Sequence, residues 1–369
     1  MHPDVKGIPL HGLLLYNTSM SFKALVTGIC FLFLILSVEI SRAQSDSTAA
    51  ALQAETFDTA YLTDYTDLLT TRLFLAFQNA SLLVNTYDDN ISKIVFRPNV
   101  NVRIGIAGFW KWFGLGLSID NPFYKTDRSE YGKTSTLDLR VNAFGRMVAG
   151  ELFLQEYKGY YISSPESKDG SHFIIPDMQT ISLGIAGYWI YNAKRFSIRA
   201  AFIQNERQKR SAGSLLVRPS FLYYRISSDQ GIIPPELLET YHIPSSNVIT
   251  KGNFYTVGLS PGYAYTFVFL KYIYLTAAIF PGVAAQFSEY NHKNYFHSEF
   301  EFSFQLSGRF AIGYNSDKWF AGASAQTGFN EVPDKLSKSL FNYDVAQYRI
   351  WGGTRFNIFK KKHKNRNGQ

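Results

Sequence analysis

The chain has 369 residues, 46% hydrophobic and 16% aromatic, with a net charge of +8 at pH 7 and a mean hydropathy of −0.11. That length allows one large domain or two ordinary ones. The hydropathy excludes a bundle of membrane helices but not a membrane β-barrel, in which half of every strand is polar.

The first 19 residues carry no recognisable signal, and Met20 reads as the start. From there Lys23 supplies a positive n-region, 24–38 an apolar h-region, and Ser41-Arg42-Ala43 a small-x-small cleavage site before Gln44. The spacing predicts a secretory signal over 20–43. Its apolar run is short for the ~20 residues a membrane anchor needs. Cys30 is the only cysteine, so a chain cleaved after Ala43 has none and needs no disulfide framework. Residues 44–69 are small and polar and read as a loose periplasmic lead-in.

From 70 to 359 nearly every segment alternates. Val100, Val102, Ile104 and Ile106 alternate with polar or small residues. So do Phe113 to Ile119, Leu137 to Ala143 and Ile181 to Ile185. Similar runs fall near 72–84, 147–161, 196–205, 214–226, 253–267, 272–288, 319–329 and 346–359. The clearest is 298–315, with Phe300, Phe302, Phe304, Leu306, Phe310, Ile312 and Tyr314 at even positions and Glu299, Glu301, Gln305 and Arg309 at odd ones. Side chains on a strand alternate between faces, so each run is an amphipathic strand. Many runs exceed 10 residues, whereas globular strands peak at ~5–6. Aromatics gather at strand ends, as in Phe109-Trp110-Lys111-Trp112, Tyr188-Trp189-Ile190-Tyr191 and Lys318-Trp319-Phe320, in the manner of interface girdles. Pro234-Pro235-Glu236-Leu237-Leu238-Glu239 is the one helix hint.

Tight connections near Gly145-Arg146, 192–195, 269–271 and 315–318 alternate with long ones at 121–134, 163–178, 227–252 and 330–345. The fold class expected is therefore all-β, an antiparallel up-and-down transmembrane barrel. The runs number 13, and single-chain barrels have even numbers. Assigning sides from both ends clashes between Glu206 and Asn253, so one strand is missed or invented, and 12 or 14 are both open. Gly353 to Phe359 has the form of a C-terminal assembly signal read by barrel-assembly machinery, followed by the basic tail 360–369. Lys360, Lys361, Lys362, Lys364 and Arg366 of that tail hold five of the positive charges, so the body is nearly balanced. The tail reads as a solvated terminus, and no nucleic-acid partner is expected.

Lys111-Trp112-Phe113-Gly114-Leu115, Lys158-Gly159-Tyr160-Tyr161, Arg195-Phe196-Ser197 and the run from Gln204 to Ser214 resemble segments of a family of bacterial outer-membrane β-barrel-like proteins described only as a domain of unknown function. The resemblance runs from about Phe57 to Phe359 and implies a secreted, outer-membrane chain; outer-membrane lipid is the partner expected of such a barrel. It implies no activity.

Charge cannot face lipid without costing up to ~2–4 kcal/mol for Arg or Lys at the midplane. Arg103, Asp138, Arg140, Glu151, Gln155, Arg199, Arg218, Glu299, Glu301, Arg309, Arg349 and Arg355 are accordingly expected to line the lumen, filling it or tuning a narrow pore. Arg207, Lys209 and Arg210 are candidates for headgroup contact. His292, Asn294, His297 and Glu299 cluster at a loop-to-strand junction, but their spacing matches no metal motif. No catalytic signature, cofactor or metal site is expected. The functions left open are small-solute passage, an envelope structural role, a barrel enzyme acting on lipid or surface polymer, and a soluble periplasmic barrel holding an apolar ligand.

Overall fold

The alternating runs pair in sequence and close on themselves. The computed structural model describes residues 57–86, 93–100, 102–121, 123, 127–167, 169–240, 248–334 and 339–357. The strands are β1 (Leu62–Asp64), β2 (Leu69–Thr86), β3 (Ile94–Arg97), β4 (Arg103–Trp110), β5 (Phe113–Asp120), β6 (Ser135–Phe144), β7 (Val148–Ser164), β8 (Phe173–Ile190), β9 (Glu206–Gln208), β10 (Ala212–Ser227), β11 (Ile249–Phe269), β12 (Ile273–His292), β13 (Phe296–Asn315), β14 (Trp319–Asp334) and β15 (Ser339–Phe356). Three short helices intervene: α1 (Arg128–Tyr131), α2 (Ile198–Phe202) and α3 (Pro235–Thr240). The last is the helix that Pro234-Pro235 foretold.

Every pairing is antiparallel. β2, β4, β5, β6, β7, β8 and β10 to β15 each pair with the next, and β15 returns to β2 over its full length, from Ser339↔Thr86 to Phe356↔Leu69. The result is a twelve-stranded up-and-down barrel. Among the described residues, closure leaves the twelve-stranded ring no open edge to recruit another chain. β4, β5 and β6 are short, and above them β3 bridges β2 to β7 through Leu82↔Phe96 and Arg97↔Tyr161. The wall is thus closed twice at that end.

The thirteenth run is resolved here. Residues 196–205 do not form a strand. Ser197 caps α2, its Oγ accepting the Ala200 N–H at 3.1 Å, and the segment turns into the barrel. The connection expected to be tight at 192–195 is therefore the whole stretch 191–211. It lies at the same end as the turns 111–112, 145–147, 270–272 and 316–318. The long connections lie at the other end, as an up-and-down chain requires. The lead-in, expected to be loose, is tied down from Phe57 onward. Leu62 is buried, and Leu62–Asp64 pairs with Glu206–Gln208. The signal reading at 20–43, the extension at 1–19 and the basic tail lie outside the described residues.

The faces sort by chemistry. On β13, Phe300, Phe302, Phe304, Leu306, Phe310, Ile312 and Tyr314 are exposed on the outside, Phe302 at 78%, while Glu301, Gln305 and Arg309 are buried inside. On β11 the outward run from Val257 to Phe267 is apolar or aromatic. At ~3.3 Å per residue and a ~40° tilt, it makes a belt about 25 Å tall.

Candidate functional site

The interior is built in three layers. At the short-turn end, the connection 191–211 forms a plug. Ala193, Phe196, Ile198, Ala201 and Ile203 pack against Phe109, Phe144, Tyr188, Tyr274, Phe280 and Phe320 of the wall. A buried irregular segment carries backbone groups that no ladder satisfies, each costing ~1–3 kcal/mol if left unmade. Here wall side chains supply the donors. Arg355 donates Nε to the Gln204 carbonyl at 2.9 Å and Nη2 to Asn315 Oδ1 at 2.5 Å. Asn315 Nδ2 reaches the carbonyls of Glu206 at 2.9 Å and Ala200 at 3.2 Å. Arg72 donates to the Phe202 carbonyl at 2.8 Å, and the Tyr274 hydroxyl to that of Ala201 at 2.8 Å. Gln204 holds a left-handed backbone at φ 65°, and Tyr274 accepts from its Nε2 at 3.2 Å.

Glu206 is the plug's charged centre. It is 1% exposed and accepts from Arg146 at 2.8 Å, Arg199 at 3.1 Å and the Ser197 hydroxyl at 2.5 Å. Arg199 also donates to the Phe144 carbonyl. The lead-in seals the outer side. Tyr65 N–H donates to the Asn205 carbonyl at 3.0 Å, and the Tyr65 hydroxyl donates to Asp317. Burial, and then that hydrogen bond, holds the Tyr65 hydroxyl above its ordinary range.

Above the plug is a charged layer. Arg309 on β13 makes a bidentate ion pair with Glu151 on β7, with Nη1 to Oε1 at 2.7 Å. Tyr188 OH donates to Glu151 Oε2 at 3.3 Å and accepts from Arg218 at 3.3 Å. Arg103 reaches over β5 to Asp138 at 3.4 Å, donating to the Ser118 carbonyl on the way at 2.9 Å. Asp138 also meets Arg140 at 3.3 Å. The small inner face of β5, Gly114-Gly116-Ser118, gives that arginine room, and the Phe109 ring lies where a Cβ on Gly114 would stand. Arg349 lies 5.3 Å from the Phe74 ring. Gln155 is buried; Glu301 is buried, and Glu299 is half-buried beside His297 at 4.0 Å. A cavity of about 110 Å³ remains, its inner lining including Arg140, Gln155, Arg218, Gln305 and Gln347. That is room for a few water molecules.

The long-connection end is apolar inside. Ile232, Ile233 and Leu237, from the start of the connection that holds α3, pack with Phe96, Tyr157, Tyr160, Met178, Tyr224, Phe254 and Tyr290. His292 and His297 stack at 5.0 Å, between Tyr295 and Tyr290 at 4.2 and 4.7 Å. Among the described residues no three His, Cys, Asp or Glu side chains gather as a metal site.

Of the sequence-predicted residues, Glu151 and Arg309 are brought together, as are Arg103, Asp138 and Arg140. Arg199 sits on the plug and Arg355 on the wall that anchors it. Arg207, Lys209 and Arg210 cluster at the short-turn end. Arg207 pairs with Asp317 at 2.7 Å, Lys209 donates to the Thr59 carbonyl at 2.6 Å, and Arg210 lies 5.9 Å from the Tyr61 ring. Sequence reasoning missed Arg72, Arg146, Tyr274, Asn315 and Glu206 as plug contacts. For Glu206 the signal was its place in the Gln204–Ser214 run.

These features define a closed up-and-down barrel with an apolar outside and a packed, ion-paired inside. The chain belongs to the family described as Domain of unknown function (DUF4421), which it matches over residues 56–356. No curated protein sequence matches it. Similar solved structures include the outer membrane protease OmpT from Escherichia coli, at 8% identity over 80% of this chain and 98% of that one with a TM-score of 0.33. The translocator domain of the autotransporter NalP from Neisseria meningitidis is similar at 9% identity over 88% and 99%, with a TM-score of 0.32. The toluene transporter TodX from P. putida is similar at 10% identity over 80% and 91%, with a TM-score of 0.27. Likenesses this distant assign none of those activities to this chain.

Proposed function

We propose that this protein is an outer-membrane β-barrel whose lumen is closed, with a structural role in the envelope rather than standing passage of solutes. One observation carries the reading: apolar side chains face out in a belt about 25 Å tall, while inside Glu151 pairs with Arg309, Asp138 with Arg103 and Arg140, and Glu206 of the plug with Arg146 and Arg199. A soluble barrel would have to expose Phe300, Phe302, Phe304 and their neighbours to water. An enzyme would need a reactive group poised in a cleft, and His292 and His297 are instead stacked on tyrosines.

The test is conductance of the full mature chain in a planar bilayer, run beside membrane fractionation. The expected result is a membrane-inserted, heat-modifiable protein without steady open events. Steady conductance from the unaltered chain would replace this reading with solute passage, for which the cavity beside Arg140, Gln155 and Arg218 would be a start. Recovery in the soluble fraction would end both.

A further inference from the structure

The outer face of β7, β8, β10, β11 and β12 can be followed row by row through the strand register. One row runs Leu152–Ile185–Phe221–Val257–Ala285, entirely apolar. The next toward the long-connection end runs Leu154–Leu183–Tyr223–Tyr255–Phe287. Above it lies Glu156–Ile181–Arg225–Asn253–Glu289, and above that Lys158–Gln179–Ser227–Lys251–Asn291. Within four rows the surface passes from hydrocarbon-compatible, through an aromatic line with Tyr223–Tyr255 at 5.2 Å and Tyr255–Phe287 at 6.3 Å, to charge. Aromatic girdles mark the boundary where lipid tails end and headgroups begin.

A polar cleft of about 580 Å³ opens at that boundary, its lining including Lys158, Arg225, Lys251 and Lys293. Three of the acids nearby have neutral donors. Asp177 accepts from the Ser228 hydroxyl at 2.8 Å and the Asp229 N–H at 2.7 Å. Glu289 accepts from Asn253 at 3.1 Å, and Glu156 from Gln179. Asp229 also borders the cleft. Among the described residues, none of the four cations makes an ion pair with these acids. The lining sets four cations against Asp177 and Asp229, and Glu289 offsets part of the charge beside Lys251, so the excess at headgroup height is positive and suits an anion from outside the chain.

We propose that this cleft binds the phosphate of a membrane lipid headgroup, with Lys158, Arg225, Lys251 and Lys293 as its ligands and the Tyr223–Tyr255–Phe287 line against the acyl chains. The inference rests on the membrane reading above. It differs from the basic run Arg207, Lys209 and Arg210, which lies at the opposite end and is engaged by the lead-in and Asp317.

The experiment inserts the full mature chain into phosphatidylcholine bilayers doped with a minor fraction of phosphatidic acid. Retained lipid is then read by native mass spectrometry after mild extraction. The unaltered barrel is expected to retain phosphatidic acid roughly fivefold or more above its bulk share, as clustered cations near a lipid surface do. The variant K158Q/R225Q/K251Q/K293Q is expected to return to the bulk share. Insertion and heat-modifiability are scored on the same samples. A protein that fails to insert overturns the membrane reading itself. An inserted protein without enrichment, or enriched equally in the variant, overturns the cleft alone, as does loss of bound lipid to millimolar inorganic phosphate, which would make it a site for the free anion. Should the fourfold variant misfold, K158Q/K251Q carries the same comparison, with an intermediate loss expected.

Discussion

Glu151 and Arg309 sit on strands separated by four others in the wall, yet their side chains meet. The bond therefore crosses the lumen and ties opposite walls. Removing one partner of a buried pair leaves an uncompensated charge, which costs about 3–5 kcal/mol, while replacing both by apolar groups of similar size is often near neutral. Glu151→Gln should therefore lower the urea midpoint of the detergent-refolded barrel by a loss of about 3 kcal/mol. Glu151→Met with Arg309→Met should recover most of it. Equal losses in the single and double variants would mean that the pair holds nothing together. Surface pairs behave differently: Arg207–Asp317 has its carboxylate 69% exposed, and breaking it should cost no more than about 1 kcal/mol.

At the scale of elements, the plug is where sequence and structure part. Phe196, Ile198, Ala200 and Phe202 fall on every second position, so the segment looks like its neighbours. What folds it inward is non-local: carbonyls of 200–206 find Arg72, Tyr274, Asn315 and Arg355, residues far away in the chain. No local pattern announces such partners. β3 was missed for a related reason. It is four residues long, with Ile94, Val95 and Phe96 all buried, so it shows no alternation. The barrel strands were legible because lipid-facing and interior-facing residues differ at every step for 8 to 21 residues. The inner charges were legible as a set, since a polar position on an amphipathic strand has only one face to take. Which charges meet was not, because that depends on barrel size and on the plug between them. Replacing 197–208 by a short Gly-Ser turn should leave the β8–β10 hairpin joined and remove the short-turn seal. Conductance events absent from the unaltered chain are then expected in a planar bilayer. A variant that inserts and stays silent would place the seal at the other end, on the Ile232, Ile233 and Leu237 cluster.

The whole molecule depends on one seam. Eleven of the twelve wall junctions join strands near in sequence, but β15 must find β2 across the entire chain, with Ile350 opposite Leu75 and Tyr348 opposite Phe77. Until that happens both strands present bare edges with greasy outer faces, the arrangement most prone to aggregation. Directly opposed residues of an antiparallel pair have Cα atoms ~4.5–5.5 Å apart, within disulfide reach. Leu75→Cys with Ile350→Cys should therefore cross-link under mild oxidation once the barrel has closed, and not before. The oxidised form is expected to keep an altered mobility on gels after boiling, lost on adding reductant. Phe77→Cys with Phe356→Cys places the thiols eight positions out of register, since Phe77 faces Tyr348 and Phe356 faces Leu69, and should not link. Cross-linking of the matched pair in urea would show that proximity in the unfolded chain, not the seam, brings the thiols together. Linking of the mismatched pair in the folded protein would mean that β15 slides along β2, and the pairing of Ile350 with Leu75 and Tyr348 with Phe77 would have to be redrawn, although an even slide keeps Arg349 and Arg355 on the same face.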